Sequence, residues 1–462
     1  MRPRAAFALL FLAVLAARLT HCRIVWVEEA YPAAAALRLL NGASLYRDIW
    51  FDKPPLSPYF YALFGALAGW PLRLAGALFV TLCCWLLYRL ALTLWGPREA
   101  LTAAALLAFY LTFGVPSAII ALAPDLLMIA PHIAAVWLAA AKRPAWSGAV
   151  AALAFLANTK GIFVLAACVL WNPAAALWTL AGFAFPLALH LAFLDYQNAL
   201  QSYWIQVWDW GFTYSRQTFI ANPLREGLTR SLAWAGFHLT AVLAAIVALR
   251  SKHEPRLFAW LLLSALAVAA GFRFFPRYYF QLLPVVVLLA ARGLTLLNRK
   301  YAMALLLLLV IPLVRYGPRY VQLAAGDTSW RDLAISNDSR AAAAQLTAQA
   351  RPGDTLLVYG YRPDIYMLTR IQAGTRFLDS QPLNGVLADR HLTNAEVLYP
   401  AIAAHNRAEL LTTAPTFLVD GLGPYNPALA ITELEDLRPW LTQYEPIGHT
   451  PGTVIYRRKP AE

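Results

Sequence analysis

The stretch RLAGALFVTLCCWLLYRLALTL, residues 73–94, decides the fold. It carries two arginines, Arg73 and Arg89, and no acid. A helix rises about 1.5 Å per residue, so roughly 20 apolar residues cover the ~30 Å hydrocarbon core of a bilayer. Read outward from it in windows of that length, the first 316 residues hold about eleven apolar segments and the last ~145 hold none. The composition agrees. The 462-residue chain is 60% hydrophobic and only 14% charged, whereas soluble domains carry about a quarter charged residues. The expected fold class is an α-helical polytopic membrane protein with about 11 transmembrane helices in residues 1–316. A small soluble α/β domain is expected in residues 317–462.

The net charge of +13 does not point to nucleic acid. Residues 317–462 carry 13 Lys/Arg against 15 Asp/Glu, which leaves +15 on the membrane part. There the basic residues form short clusters: Arg2/Arg4, Arg89/Arg98, Lys142/Arg143, Arg250/Lys252/Arg256 and Arg299/Lys300. Such clusters mark cytoplasmic loops. They place the N-terminus inside, the polar stretch 21–57 outside after a first helix at about 5–20, and the C-terminal domain outside. Further helices are expected at about 73–94, 99–120 and 124–141, three crossings within 146–194, then an outer loop at about 195–230. The last helices fall at about 232–250, 257–271, 278–297 and 301–316. Segment 58–70 is apolar but short and reads as interfacial. In the tail, DTLLVYG (354–360), TFLVD (416–420) and TVIYR (453–457) read as strands between Ala/Leu-rich helical stretches. Cys22, Cys83, Cys84 and Cys168 have no spacing that suggests a disulfide framework or a zinc site.

Only ten carboxylates lie before residue 317. On this topology Glu99 and Glu254 face the cytoplasm. Glu28, Glu29, Asp48, Asp52, Asp125, Asp195, Asp209 and Glu226 face outward, so proton-handling or metal-binding chemistry is expected on the outer face. Five motifs gather around that face. The first loop contains Trp-Val-Glu28-Glu29-Ala-Tyr31 and then Asp52-Lys53-Pro54-Pro55. Ala123-Pro-Asp125 opens the fourth span, Asn158-Thr159-Lys160-Gly161 interrupts a later one, and Arg273-Phe-Phe-Pro-Arg277-Tyr278-Tyr279-Phe-Gln281 precedes the last pair.

Taken together, these motifs resemble those of the GT-C membrane glycosyltransferases, the group that includes protein O-mannosyltransferases and the aminoarabinose and galacturonic acid transferases that modify lipid A. The resemblance covers about residues 1–300. One departure is Glu28, which stands where those families usually have Asp. The resemblance implies a glycosyltransferase that moves a sugar from a polyprenyl-phosphate donor to a glycolipid, glycan or protein acceptor. It also implies a multi-pass location in the inner membrane, with the C-terminal domain in the periplasm.

The chemistry requires an acceptor hydroxyl to lose its proton as it attacks the anomeric carbon opposite a departing phosphate. A positioned carboxylate can take that proton. Glu28 is assigned as base and Glu29 as its orienting partner or a sugar contact; the alternative for both is helix capping or solvated loop acids. Cations that act on the departing phosphate lower the barrier selectively. Lys53, Lys160 and Arg277 are the candidates, with Arg273 and Tyr278 completing a phosphate clamp and Asp52 beside Lys53. Lys160 lies among apolar residues, where a charge is costly unless it faces a cavity, pairs or snorkels. Asp125 is open to three roles: holding a divalent cation (Mg or Mn) with the first-loop acids, binding sugar hydroxyls, or capping a helix. The loop holding Tyr203, Trp204, Trp208, Trp210 and Tyr214 reads first as an interface anchor. A non-catalytic transporter or flippase of lipid-linked sugars is the alternative function, but it would place ionisable groups nearer the midplane and show pseudo-symmetric halves.

Overall fold

A computed structural model describes residues 3–216, 220–251 and 254–460. Arg2 and Lys252, used above for orientation, lie outside the described residues. Among the described residues, three helices are long and apolar enough to cross a bilayer: Trp70–Leu94, Pro173–Tyr196 and Arg299–Ala324. Pro223–Phe237 and Leu239–Ser251 form a fourth such unit, bent by 92°. Around them pack shorter apolar helices, among them Pro3–Leu19, Pro97–Tyr110, Pro124–Ala140, Pro144–Ala157, Gly161–Trp171, Pro255–Ala269 and Leu283–Leu296. The three crossings expected in 146–194 are present as helices. Pro173–Tyr196 and Arg299–Ala324 bury little of their apolar surface inside the protein, and Leu177, Trp178, Phe185, Leu307 and Val314 are exposed. Apolar exposure on that scale is stable only against lipid.

Proline and glycine set the joints. Prolines open the helices at 70, 97, 144, 223 and 255, where the missing N–H costs nothing and φ is already helical. Gly148 lies where helix Pro144–Ala157 crosses the following long helix. A Cβ there would stand 1.8 Å from the Thr179 carbonyl oxygen, so only glycine permits the crossing.

Several expectations about boundaries need correction. The loop expected at 195–230 is largely helical, with Leu200–Tyr203, a π-helical turn Trp204–Asp209, Trp210–Arg216 and Pro223–Phe237. Its aromatic residues explain the difference: Trp210 is buried and stacks on Tyr399 of the tail at 3.6 Å. The first loop contains helix Val27–Leu40, rich in alanine and packed on all sides. The domain boundary expected at 316/317 falls inside helix Val310–Ala324, because Arg315 and Arg319 are spaced so that they need not break the helix.

The tail forms a five-stranded sheet in the order β2-β1-β3-β5-β4. The strands are β1 Thr355–Gly360, β2 Gln372–Ala373, β3 Phe417–Gly421, β4 Tyr444–Thr450 and β5 Thr453–Arg458. β2 and β3 run parallel to β1, whereas β5 runs antiparallel to β3 and β4 to β5. The three expected strands are β1, β3 and β5. β2 and β4 lack a hydrophobic run and gave no strand signal. Val25 and Trp50 donate backbone N–H groups to Ser336 Oγ and the Arg376 carbonyl. Arg38 donates to the Ala373 and Thr375 carbonyls, and Arg376 to that of Tyr46. These bonds seat the sheet domain on the first loop, so loop and tail share one face of the bundle.

Candidate active site

Helix Val27–Leu40 carries Glu28 and Glu29 in its first turn, where carboxylates are favoured by the free N–H groups and the helix dipole. Successive helical positions point about 100° apart, and the two acids meet different surroundings. Glu29 is fully buried. Arg73 donates to both its oxygens at 2.8 Å, and the Leu122 and Trp26 N–H groups add bonds at 3.3 and 3.4 Å. Arg73 is itself completely buried and also donates to the carbonyls of Ile24 and His21. A sugar contact by Glu29 is therefore ruled out by burial. Its place is that of a capping and anchoring residue that fixes the turn carrying Glu28.

Glu28 keeps 25% of its side chain exposed, and its Oε1 accepts from Arg277 Nη2. Burial opposes the Arg277 charge, but Glu28 outweighs it and holds the guanidinium above its ordinary pKa, with Asp125 adding to the effect. Arg277 lies in the 3-10 turn Pro276–Gln281. Just before that turn, Phe272 and Phe274 hold φ of 51° and 49°. Left-handed residues of this kind cost about 1–3 kcal/mol each and persist where surrounding structure over-determines them.

Asp125 stands in the first turn of Pro124–Leu127, and its Oδ1 accepts from Asn158 Nδ2 at 2.9 Å. Asn158 Oδ1 in turn accepts the Lys160 N–H at 3.0 Å. The turn is held against its own preceding helix, and a Cβ on Gly161 would lie 2.3 Å from the Phe155 backbone nitrogen. Lys160 is thereby aimed over the Tyr278 ring, its Nζ 3.3 Å from the centroid and without a hydrogen-bond partner among the described residues. It is neither snorkelling nor paired. Asp125, Lys53, Arg273 and Tyr214 all act electrostatically on Tyr278.

On the other side of Tyr278, Lys53 Nζ donates to Asp52 Oδ2 at 2.9 Å and lies 5.9 Å from the Tyr214 ring centre. Burial works against its charge, yet Asp52 more than offsets this and its ammonium titrates above the usual value. Lys53 keeps 48% of its side chain accessible while Asp52 keeps 4%. A clamp of Arg273 with Arg277 does not form. Arg273 is buried, its Nη1 donates to Asp389 at 2.6 Å and its Nη2 to the Tyr214 carbonyl at 2.9 Å, and its guanidinium covers the Tyr214 ring at 3.6 Å. It ties the turn before helix Leu283–Leu296 to the tail.

The acids also fit a divalent cation poorly. Glu28, Glu29 and Asp52 are each engaged by a cationic side chain, and Asp125 by Asn158. Among the described residues no group of three or more His, Cys, Asp or Glu is placed to hold a metal ion.

Four participants were missed from sequence. Arg73 was read as the edge of a span, although an arginine at the start of an apolar run, apart from the basic clusters, was a signal. Gln381, Asp379 and Asp389 belong to the tail, where local sequence gives no pointer to a site 100 or more residues away.

Comparison with known proteins gives an independent reading. Residues 52–194 match the sequence profile of the family described as dolichyl-phosphate-mannose-protein mannosyltransferase. Across 98% of both chains the structure resembles ArnT from Cupriavidus metallidurans bound to undecaprenyl phosphate, with TM-score 0.63 at 15% identity. The apo state of the same enzyme gives 0.59 over the same coverage. No curated protein sequence matches the chain. At such identity the structural likeness establishes the fold, and only the fold.

Proposed function

With the fold of the GT-C membrane glycosyltransferases as premise, we propose that this chain transfers a sugar from a polyprenyl-phosphate donor to an acceptor hydroxyl. The reaction runs at the outer face of the inner membrane, with the C-terminal domain in the periplasm. The acceptor is a glycolipid, a glycan or a protein. The observation that carries the reading is the convergence on Tyr278. Lys160 Nζ lies over the Tyr278 ring, Lys53 acts on Tyr278, and the partly exposed carboxylate of Glu28 pairs with the adjacent Arg277. An undecaprenyl phosphate in the ArnT relative and the mannosyltransferase profile over residues 52–194 agree with a lipid-phosphate donor.

Glu28 Oε1 is held by Arg277, and Oε2 is the atom offered to the acceptor. As the acceptor oxygen forms its bond to the anomeric carbon, the bond from that carbon to the phosphate oxygen breaks. The hydroxyl proton passes to Glu28, and the electron pair leaves on the phosphate. A single displacement of this kind inverts the anomeric configuration. Lys160, whose Nζ has no hydrogen-bond partner among the described residues, and Lys53 meet the charge that gathers on the leaving phosphate, where preorganised cations act most strongly. Uniform binding of substrate and transition state would not accelerate the step.

The experiment is sugar transfer in proteoliposomes from a panel of polyprenyl-phosphate sugars. Transfer by the wild type that disappears in Glu28→Gln and falls in Lys160→Ala, with both variants folded, supports the reading. Undiminished transfer by Glu28→Gln removes Glu28 as base, and a wild type that moves lipid across the bilayer without transferring sugar replaces the enzyme with a flippase.

A further inference from the structure

The donor cation Lys53 is not held by the membrane domain alone. Asp52, its partner, sits at the bottom of a short chain of bonds that begins in the tail. Gln381 Nε2 donates to Asp52 Oδ2 at 3.1 Å, and Gln381 Oε1 accepts the Ala388 N–H at 2.8 Å, which fixes the amide's orientation. The Gln381 N–H donates to Asp379 Oδ1 at 3.1 Å. Asp379 thus stands beside the Asp52–Lys53 pair. Asp52 Oδ1 is buried and has no donor among the described residues, so the pair is already short of compensation and a second negative charge would be poorly tolerated.

We infer that Asp379 of the C-terminal domain is a positioning residue for the donor: protonated, it leaves the Lys53 charge for the donor phosphate, and ionised, it competes with that phosphate for Lys53. This rests on the donor reading above, in which Lys53 meets the phosphate. The groups facing Asp379 are few. Asp52 and Lys53 reach it from the first loop, Tyr31 from helix Val27–Leu40 and Tyr366 from helix Asp364–Thr369. Burial holds both tyrosines un-ionised well beyond neutral pH, which leaves Asp379 as the group that changes charge. Asp379 is itself partly exposed, between the buried Leu378 and Ser380. Loss of water around the carboxyl first, and then the Asp52 charge, push it up to about 7, against the Gln381 N–H and Lys53, which pull it down. Protonation is therefore favourable to the donor below pH 7 and is lost as the pH rises through 7.

The test is binding of farnesyl methyl phosphate, a phosphodiester that remains a monoanion across the range, to the full-length protein in nanodiscs between pH 6 and 8. A site that must carry one proton of pKa about 7 weakens roughly tenfold between those limits. Asp379→Asn, which mimics the protonated form, is expected to bind with the wild type's low-pH affinity and no such slope. The infrared band of a protonated carboxyl that titrates near pH 7 is expected in the wild type and absent from Asp379→Asn, a readout independent of any donor. Equal pH slopes in wild type and Asp379→Asn overturn the inference while leaving the donor reading intact. Binding that is insensitive to Lys53→Ala overturns both, and a band untouched by Asp379→Asn assigns the proton elsewhere and overturns the inference.

Discussion

The two flanks of the first turn of helix Val27–Leu40 answer opposite demands with the same chemistry. On one flank Glu29 and Arg73 form a bidentate pair without measurable exposure, and on the other Glu28 and Arg277 form a pair with about a quarter of each side chain accessible. A buried pair is weak evidence for stability as such, because desolvation offsets much of the attraction, yet removal of one partner leaves a stranded charge. The open pair has no such hold on the fold. The difference teaches that adjacent acids in a sequence motif can divide into an anchor and a reactant, and that burial by neighbouring helices makes the division.

The largest effect should come from breaking the sealed flank. Arg73→Ala strands Glu29 among Leu122, Trp26 and Ile24, at a cost of about 3–5 kcal/mol, against a net stability that is typically only about 5–15 kcal/mol. Detergent-solubilised variant protein should lose its monodisperse peak in size-exclusion chromatography and its cooperative thermal transition. Arg277→Ala should retain both. Comparable damage from the two would erase the distinction between the flanks.

Next in size is the loss of the reactant. Glu28→Gln should lower kcat for sugar transfer by about 10²–10⁴-fold, the usual contribution of a positioned base, with an unfolding midpoint close to wild type. Glu28→Asp keeps the carboxylate one methylene shorter and should recover part of that loss. If Asp fares no better than Gln, carboxylate chemistry at this position is not what the site uses. Lys160→Met should cost about 10²-fold in kcat, in line with removal of one preorganised donor, and should change donor KM less than kcat. A purely KM effect would make Lys160 a binding group only.

How far the sequence announced this arrangement follows from the range of the interactions. Membrane class, the apolar segments and the three hydrophobic strands are local properties of composition and period, and they were legible. Glu28, Lys53, Asp125, Lys160 and Arg277 were singled out through motifs that resemble those of a known family, and Lys160 also because a charge among apolar residues needs a reason. The fate of Glu29 was not, because its neighbours Glu28 and Ala30 say nothing about Arg73, 44 residues away. Nor was that of Arg273, whose partner Asp389 lies 116 residues on. The loop at 195–230 was legible only in part: Trp210, read with its neighbours as an interface anchor, is covered by Tyr399 of the tail, whereas Trp204 stays exposed.

The smallest expected effect concerns Arg273 and Asp389, which ask whether the open flank has an anchor of its own. The pair is intermediate between the two extremes, with 5% of the Arg273 side chain and 25% of Asp389 accessible. Its guanidinium also covers Tyr214 and bonds a carbonyl, so Arg273→Ala alone removes packing along with charge. A double-mutant cycle with Asp389→Asn isolates the pair, and a coupling of roughly 1 kcal/mol in thermal unfolding is expected for contacting, partly buried partners. Transfer should then fall through a looser tail, with both single variants losing activity in proportion to their midpoints. Zero coupling together with a selective loss of donor affinity in Arg273→Ala would mean that the guanidinium leaves Asp389 for the phosphate when donor is bound. The clamp expected from the sequence would then form only in the complex, and the open flank would owe its shape to the substrate rather than to the fold.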